Sequence, residues 1–225
     1  MVAFACPCLL IRLVWFRAAK RIYDLHCKSY ARGPAFHFSE ADRFREKVPD
    51  IHSRADTSRV FKNGNRLLKQ EETPEHLVLS KPRARLREIF TTHNGALIIS
   101  EKLRALMEEM DPGVHQFMPI SIDNHAEPGR WFILNIHAKQ NSVVDDQSDV
   151  RQSSGSPKNH EIMFFRYFPA YKGHINATID TSSLGGLHVW RERRYPGSLL
   201  VSDTFQAELK KRKIEFFELR KARDI

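Results

Sequence analysis

One pattern occurs twice in this chain, and any fold must accommodate both copies. Gly95-Ala96-Leu97-Ile98-Ile99-Ser100-Glu101 is a short apolar run that ends in a serine followed by an acid. Leu103, Leu106, Met107 and Met110 then fall at i, i+3, i+4 and i+7, which is one face of an amphipathic helix. Glu101, Lys102, Arg104, Glu108 and Glu109 take the wet side. Ser100 stands where a side-chain oxygen can cap the first turn, and the acid after it suits the positive end of the helix dipole. Asp111-Pro112-Gly113 stops the helix, and Phe117-Met118-Pro119-Ile120 reads as a strand returning to the core. The segment Gly197 to Phe205 aligns with Gly95 to Leu103 at an offset of 102 residues, with glycine, leucine and serine identical at three positions. Leu209 answers Met107, and Ile214-Glu215-Phe216-Phe217-Glu218-Leu219 supplies the trailing strand. Two copies are too few for a solenoid, so the repeat predicts a pseudo-symmetric pair within one fold.

Other segments fill in around this pair. Ile22 to His26, Phe36-His37-Phe38 and Leu77-Val78-Leu79 are short strand candidates ahead of the first copy. Between the copies, Trp131 to Ile136, Ile162 to Phe168, Ile175 to Ile179 and Leu187 to Trp190 are rich in aromatic and β-branched residues and too short for helices. Ser39-Glu40-Ala41-Asp42 looks like a capped helical turn, and residues 45–75 are polar and read as irregular. The stretch 141–160, NSVVDDQSDVRQSSGSPKNH, reads as a long flexible loop. The predicted class is α+β: a mixed or antiparallel sheet with a few packed helices, built around a twice-used strand–capped helix–strand unit. Residues 21–225 form a single domain in this reading. Residues 1–20 are an N-terminal extension, from a mis-called start or disordered.

The chemistry-bearing residues fit no catalytic template. Cys6, Cys8 and Cys27 are the only cysteines, and C-x-C is neither a redox pair nor a zinc knuckle. Neither G-x-S-x-G nor H-E-x-x-H occurs, and Gly185-Gly186 reads as a turn rather than a phosphate loop. Ser100 and Ser202 are explained as helix caps. The eleven histidines form no H-x-H or H-x-x-x-H spacing, which leaves only a site assembled in space, such as His115 with His137. Asp145, Asp146 and Asp149 offer carboxylates to a cation or to acid–base work, but in a segment read as soft. The expectation is no enzyme, no cofactor and no metal. The apolar run 1–16 is interrupted by Arg12 and has its other cations after it, so it matches neither a spanning helix nor a secretory signal. The expected location is the cytoplasm, with no membrane partner.

Charge is the remaining lead. Thirty-six Lys and Arg against 27 Asp and Glu leave a net charge of +9. Lys210-Lys211-Arg212-Lys213 closes the second helix, where the dipole favours cations. Arg83, Arg85 and Arg87 alternate around Leu86, and Arg191, Arg193 and Arg194 cluster before Tyr195. Such patches are the footprint of a nucleic-acid binder or of a surface that meets an acidic protein. No aromatic–basic RNP motif, GxxG loop or zinc finger accompanies them, so nucleic acid is kept as the alternative.

The ordered set LIISEKLRALMEEMDPGVHQFMPISI, WFILNIHA, VVDDQSDV and SLLVSDTFQAELKKRKIEFFEL resembles the immunity protein 11 family (domain of unknown function 1629) of bacterial polymorphic-toxin systems. The likeness covers about residues 75–220, with weaker similarity from Ile22. It implies an immunity protein that binds and neutralises a cognate toxin encoded nearby, without catalysis. The long loop at 141–160 and residues 1–20 depart from the pattern, and the resemblance carries over no catalytic residue. The residues expected to meet the partner are Trp190, Arg191, Arg193, Arg194 and Tyr195, since aromatic and arginine side chains dominate tight interfaces. The other reading of that segment has Trp190 in the core and only the arginines exposed. A homo-oligomer stays open.

Overall fold

The computed structural model describes residues 21–26, 36–37, 67–69, 73, 76–79, 86–92, 96–122, 130–149, 151–153, 165–167, 170–171, 174–216 and 218–224. The expectations for residues 1–20, for Ser39 to Asp42, for most of 45–75 and for 154–160 lie outside the described residues, as do all three cysteines. In chain order the elements are β1 (Ile22–His26), β2 (Phe36–His37), β3 (His76–Leu79), β4 (Ile89–Thr91), β5 (Leu97–Ser100), α1 (Glu101–Met110), β6 (Gln116–Ile122) and β7 (Trp131–Asn135). There follow β8 (Lys139–Gln140), β9 (Arg151–Ser153), β10 (Phe165–Tyr167), β11 (Ala170–Tyr171), β12 (His174–Ile179), β13 (Val189–Glu192), β14 (Tyr195–Ser202), α2 (Asp203–Lys211) and β15 (Glu218–Asp224). The fold is α+β: one sheet runs β2-β3-β6-β7-β5-β4, a second runs β11-β12-β15-β1-β14-β13-β8, and β9 pairs with β10 alone.

The two capped helices are built alike. Ser100 Oγ accepts from the Leu103 backbone N–H at 3.2 Å, and Ser202 Oγ accepts from that of Phe205 at 3.1 Å. Each serine is itself fixed by its N–H donating to the residue before the preceding hairpin strand, Glu88 for Ser100 and His188 for Ser202. α1 buries Leu103, Leu106 and Met107, and α2 buries Phe205 and Leu209, so the apolar stripe read from the sequence faces inward.

The likeness extends well beyond the helices. The order β4-β5-β7-β6-β3 in the first sheet is answered by β13-β14-β1-β15-β12 in the second. Every pairing keeps its direction: four antiparallel neighbours in each sheet, counting β2 on β3 and β11 on β12, and a parallel pair of β6 with β3 or β15 with β12. Registers agree as well. Ser100 faces Trp131 as Ser202 faces Ile22, and Gln116 faces Asn135 as Glu218 faces His26. Ile89 faces Ile99 as Val189 faces Val201. In the second sheet the place of β7 is taken by β1, which lies between β14 and β15 although it comes far earlier in the chain. The described residues therefore form a doubled sheet-and-helix unit whose second copy takes in β1.

Side-chain alternation on the central strands divides the apolar residues among three clusters. Leu97, Ile99, Phe132 and Leu134 from one sheet join Leu25, Val189, Leu199 and Val201 from the other, together with the buried faces of both helices, in one shared core. The opposite faces carry separate clusters, Phe90, Ile98 and Ile133 on one sheet and Ile22, Trp190 and Leu200 on the other. Each half also grips the start of the other's hairpin. Asp111 at the end of α1 accepts from the N–H groups of His188 and Val189, and the tail of α2 receives Glu88 N–H and the Arg87 guanidinium on the carbonyls of Glu215 and Phe216.

Three expectations shift in detail. The trailing strand of the second copy begins at Glu218, not Ile214, because Lys213 takes a left-handed turn (φ 51°) and Ile214 drops into the shared core before the chain reaches Glu88. The hairpin strand read as Leu187 to Trp190 is β13, two residues later, since Gly185 and Gly186 hold positive φ and Leu187 still closes that turn. Within 141–160, residues 141–149 are folded onto the second sheet. Ser142 and Val143 are buried, Val143 bridges Ile179, and Asp145–Gln147 form a 3-10 turn. A polar composition hid this, because the segment's N–H groups are bound far along the chain, those of Ser142 and Val143 by the Glu192 carboxylate and those of Val144 and Asp149 by β12 carbonyls.

Candidate functional site

The hairpin β13–β14 holds the segment expected to meet a partner, and its residues divide sharply by burial. Trp190 and Tyr195 are 0% and 1% exposed, and Arg191 is 4% exposed, while Arg193 is exposed and Arg194 half-buried. The aromatic pair packs in the outer cluster of the second sheet beside Ile22 and Leu200. Of the five residues, Arg193 and Arg194 reach solvent.

Beneath them lies a polar network centred on Glu192, which is fully buried. One carboxylate oxygen accepts from the N–H of Ser142 at 2.6 Å, the Ser142 hydroxyl at 3.0 Å and the N–H of Val143 at 2.9 Å. The other accepts from Arg194 Nε at 3.1 Å. Arg194 reaches on to Asp145 at 3.0 Å and donates to the Val143 carbonyl, while Tyr195 donates its hydroxyl to Asp145 at 2.9 Å. Trp190 Nε1 donates to the Ser142 hydroxyl at 3.1 Å. A buried carboxylate needs this saturation, since an uncompensated one costs several kcal/mol. The consequence is a hairpin braced from below, with little freedom for its arginines to collapse.

β13 also meets the short strand β8. β8 lies parallel to β13 with Lys139 directly opposite Arg191, and Arg193 N–H donates to the Gln140 carbonyl. Burial pushes the Lys139 ammonium below the usual lysine range, and the nearby Arg191 and Arg193 add to it. His137, at the head of this row, is likewise held below the ordinary histidine value by burial, then by Lys139 and His115.

His115 and His137 do come near each other, as the spatial reading allowed. His115 Nε2 stands 3.7 Å from Asp111, and His137 Nε2 contacts the Asn135 amide at 3.0 Å. Among the described residues no group of three His, Cys, Asp or Glu side chains could hold a metal ion. Burial pushes the Asp111 carboxyl up, but His115 and the N–H groups of His188 and Val189 outweigh it and leave it below the usual carboxylate range. Asp145 is absorbed in the hairpin brace. Ser100 and Ser202 are the helix caps they were read as.

Sequence reasoning missed Glu192, Ser142 and Lys139. The one signal available for Glu192 was an acid enclosed by three arginines, Arg191-Glu192-Arg193-Arg194, directly after a tryptophan.

These features define a two-sheet α+β protein whose most distinctive described surface is a braced basic hairpin. The sequence matches the immunity protein family (Imm11) over residues 21–224, nearly the whole chain, and the chain belongs to that family. No curated protein matches it. Family membership assigns it to toxin immunity and implies a toxin as partner in general terms. Among the described residues no helix is long and apolar enough to cross a membrane, which says nothing of a β-barrel.

Proposed function

We propose that this protein protects the cell that makes it by binding a cognate toxin encoded nearby and blocking it without chemistry, in the cytoplasm. The observation that carries this reading is the pairing of family membership with a rigid basic hairpin. Occlusion asks for a pre-ordered surface, because side chains already held in place lose less freedom on binding. Arg194 is held by Glu192 and Asp145, with Tyr195 stacked beneath its guanidinium at 5.7 Å. Arg193 projects beside it. Trp190, Arg191 and Tyr195 contribute by shaping and stiffening this platform, and Arg193 and Arg194 by direct contact. A net charge of +9 argues against mimicry of a nucleic acid, which an inhibitor of a nuclease achieves with negative charge.

The test is co-expression with the product of the adjacent gene, scored by growth and by co-purification. Rescue together with a stable complex supports the reading. Toxicity that persists in the presence of soluble, folded immunity protein refutes it.

A further inference from the structure

We propose that Lys102, Lys210 and Lys213, gathered where the end of α2 meets the first turn of α1, seat carboxylate side chains of an acidic segment of the partner. The proposal rests on the toxin-binding reading above and names what the toxin would present to this part of the surface.

All three lysines are exposed, and none forms an ion pair with a described residue. Lys102 Nζ donates to the Lys213 carbonyl at 3.3 Å, which brings the two helices' cations to one spot. The other cations of the run are engaged within the fold. Lys211 pairs with Glu208 at 2.9 Å, and Arg212 holds Glu208 at 3.0 Å and Glu109 at 2.6 Å, tying α2 to α1.

The doubled unit shows that the scaffold does not ask for these cations. At the offset of 102 residues, Lys210, Lys211, Arg212 and Lys213 stand where the first copy has Glu108, Glu109, Met110 and Asp111. Thr204 stands where the first copy has Lys102. The same capped helix thus ends basic in one copy and acidic in the other.

The dipole of α2 gives Lys210 and Lys211, in its last turn, a local reason to be basic. It gives none to Lys213, which lies past the helix in a left-handed conformation (φ 51°) and is the one non-glycine among the described residues with positive φ. There Ile214 N–H donates to the Leu209 carbonyl and Lys213 N–H to that of Lys210, a helix ending in which glycine is the usual residue. A lysine at that position works against the backbone preference of L-residues. Strain held at an exposed cation points to a use for its side chain.

The surroundings select the anion. Glu109 is 60% exposed at its side chain beside Arg212, and Glu215 is exposed two residues past Lys213. A nucleic acid would have to lay a continuous line of phosphates past these carboxylates. A protein segment can set separate acids on the lysines and leave neutral or basic residues opposite Glu109 and Glu215.

The experiment compares the full-length protein with Lys213→Gly, with the double variant Lys102→Gln, Lys210→Gln and with all three substitutions together. Binding is measured to the product of the adjacent gene, to an oligoglutamate peptide and to duplex DNA, each at low and at physiological salt, and melting temperature is recorded for every variant. Lys213→Gly relieves the left-handed lysine, so its melting temperature should rise by about 2–4 °C while toxin binding weakens. A residue kept only for the fold would lose stability instead. The double and triple variants should bind the toxin about 5-fold and about 10-fold more weakly at low salt, with a smaller loss at physiological salt. The peptide should bind the wild type and lose affinity with the same substitutions. Unchanged toxin affinity in the folded triple variant overturns the proposal and leaves the immunity reading intact. Failure of the wild type to bind the toxin overturns that reading, and the peptide arm still decides the lysines. Tighter binding of DNA than of the peptide at physiological salt, or binding of neither, overturns the carboxylate assignment.

Discussion

Replacing Glu192 by alanine is the most demanding test of the hairpin brace. The carboxylate is fully buried and accepts from three backbone N–H groups, those of Ser142, Val143 and Arg194, from one hydroxyl and from the Arg194 guanidinium. Alanine leaves the N–H groups of Ser142 and Val143 without their acceptor. Each orphaned buried donor costs ~1–3 kcal/mol, and the loss of charge-assisted bonds raises this further. Arg194 keeps Asp145, which limits the damage. The expected total is about 4 kcal/mol, within the range for removing one partner of a buried charged pair. At ~2–4 °C per kcal/mol for a chain of this size, the melting temperature should fall by about 12 °C. Glu192→Gln keeps the shape and one good acceptor but turns an NH2 group toward Arg194, so about half that loss is expected. Urea unfolding at neutral pH checks both, with an unchanged m-value required for a clean reading. A loss below about 0.5 kcal/mol for Glu192→Ala, the ordinary scale for surface substitutions, would refute the argument that this carboxylate organises residues 142–145.

Three further outcomes follow from the same geometry. Ser100→Ala and Ser202→Ala should each cost about 1 kcal/mol, seen as equal shifts in the chemical midpoint, because the two caps are equivalent in the doubled unit. Trp190→Ala and Phe90→Ala, at matching positions and both essentially inaccessible, should each lose ~3–5 kcal/mol. A Trp190 variant with native stability would place that side chain outside the core. Asp111 has a folded-state carboxyl below its ordinary value, so its contribution is present above the unfolded pKa and is lost as pH falls through the lower folded one. Asp111→Asn should therefore destabilise the protein at neutral pH and converge with wild type in acid, measured as melting temperature against pH.

Local physics made much of this fold legible. Each capped helix announces itself by a serine, an acid and an apolar stripe, and both sit where the 102-residue repeat places them. The core strands β5 and β7 are short apolar runs too short for a helix; β7 ends one residue before the run Trp131 to Ile136, and β5 begins two residues into the run that starts at Gly95. What escaped depends on distant parts of the chain. Nothing near Ile22 says that β1 will lie between β14 and β15, because those partners stand some 180 residues further along the chain. The segment 141–149 reads as open loop because its bonds are supplied by β12 and Glu192, about 30 to 50 residues onward. Aromatic and arginine composition singles out the hairpin, yet composition does not distinguish Trp190, which is buried, from Arg193, which is exposed.

The central claim is neutralisation by binding, and a stoichiometric titration tests it most directly. A fixed amount of purified toxin is mixed with increasing immunity protein, and residual toxin activity is followed. Binding without turnover predicts a straight fall that reaches zero at a fixed whole-number ratio and does not deepen with time. Complete loss of activity at a small fraction of an equivalent, progressing with incubation, would mean that the protein acts on the toxin catalytically and would contradict the account.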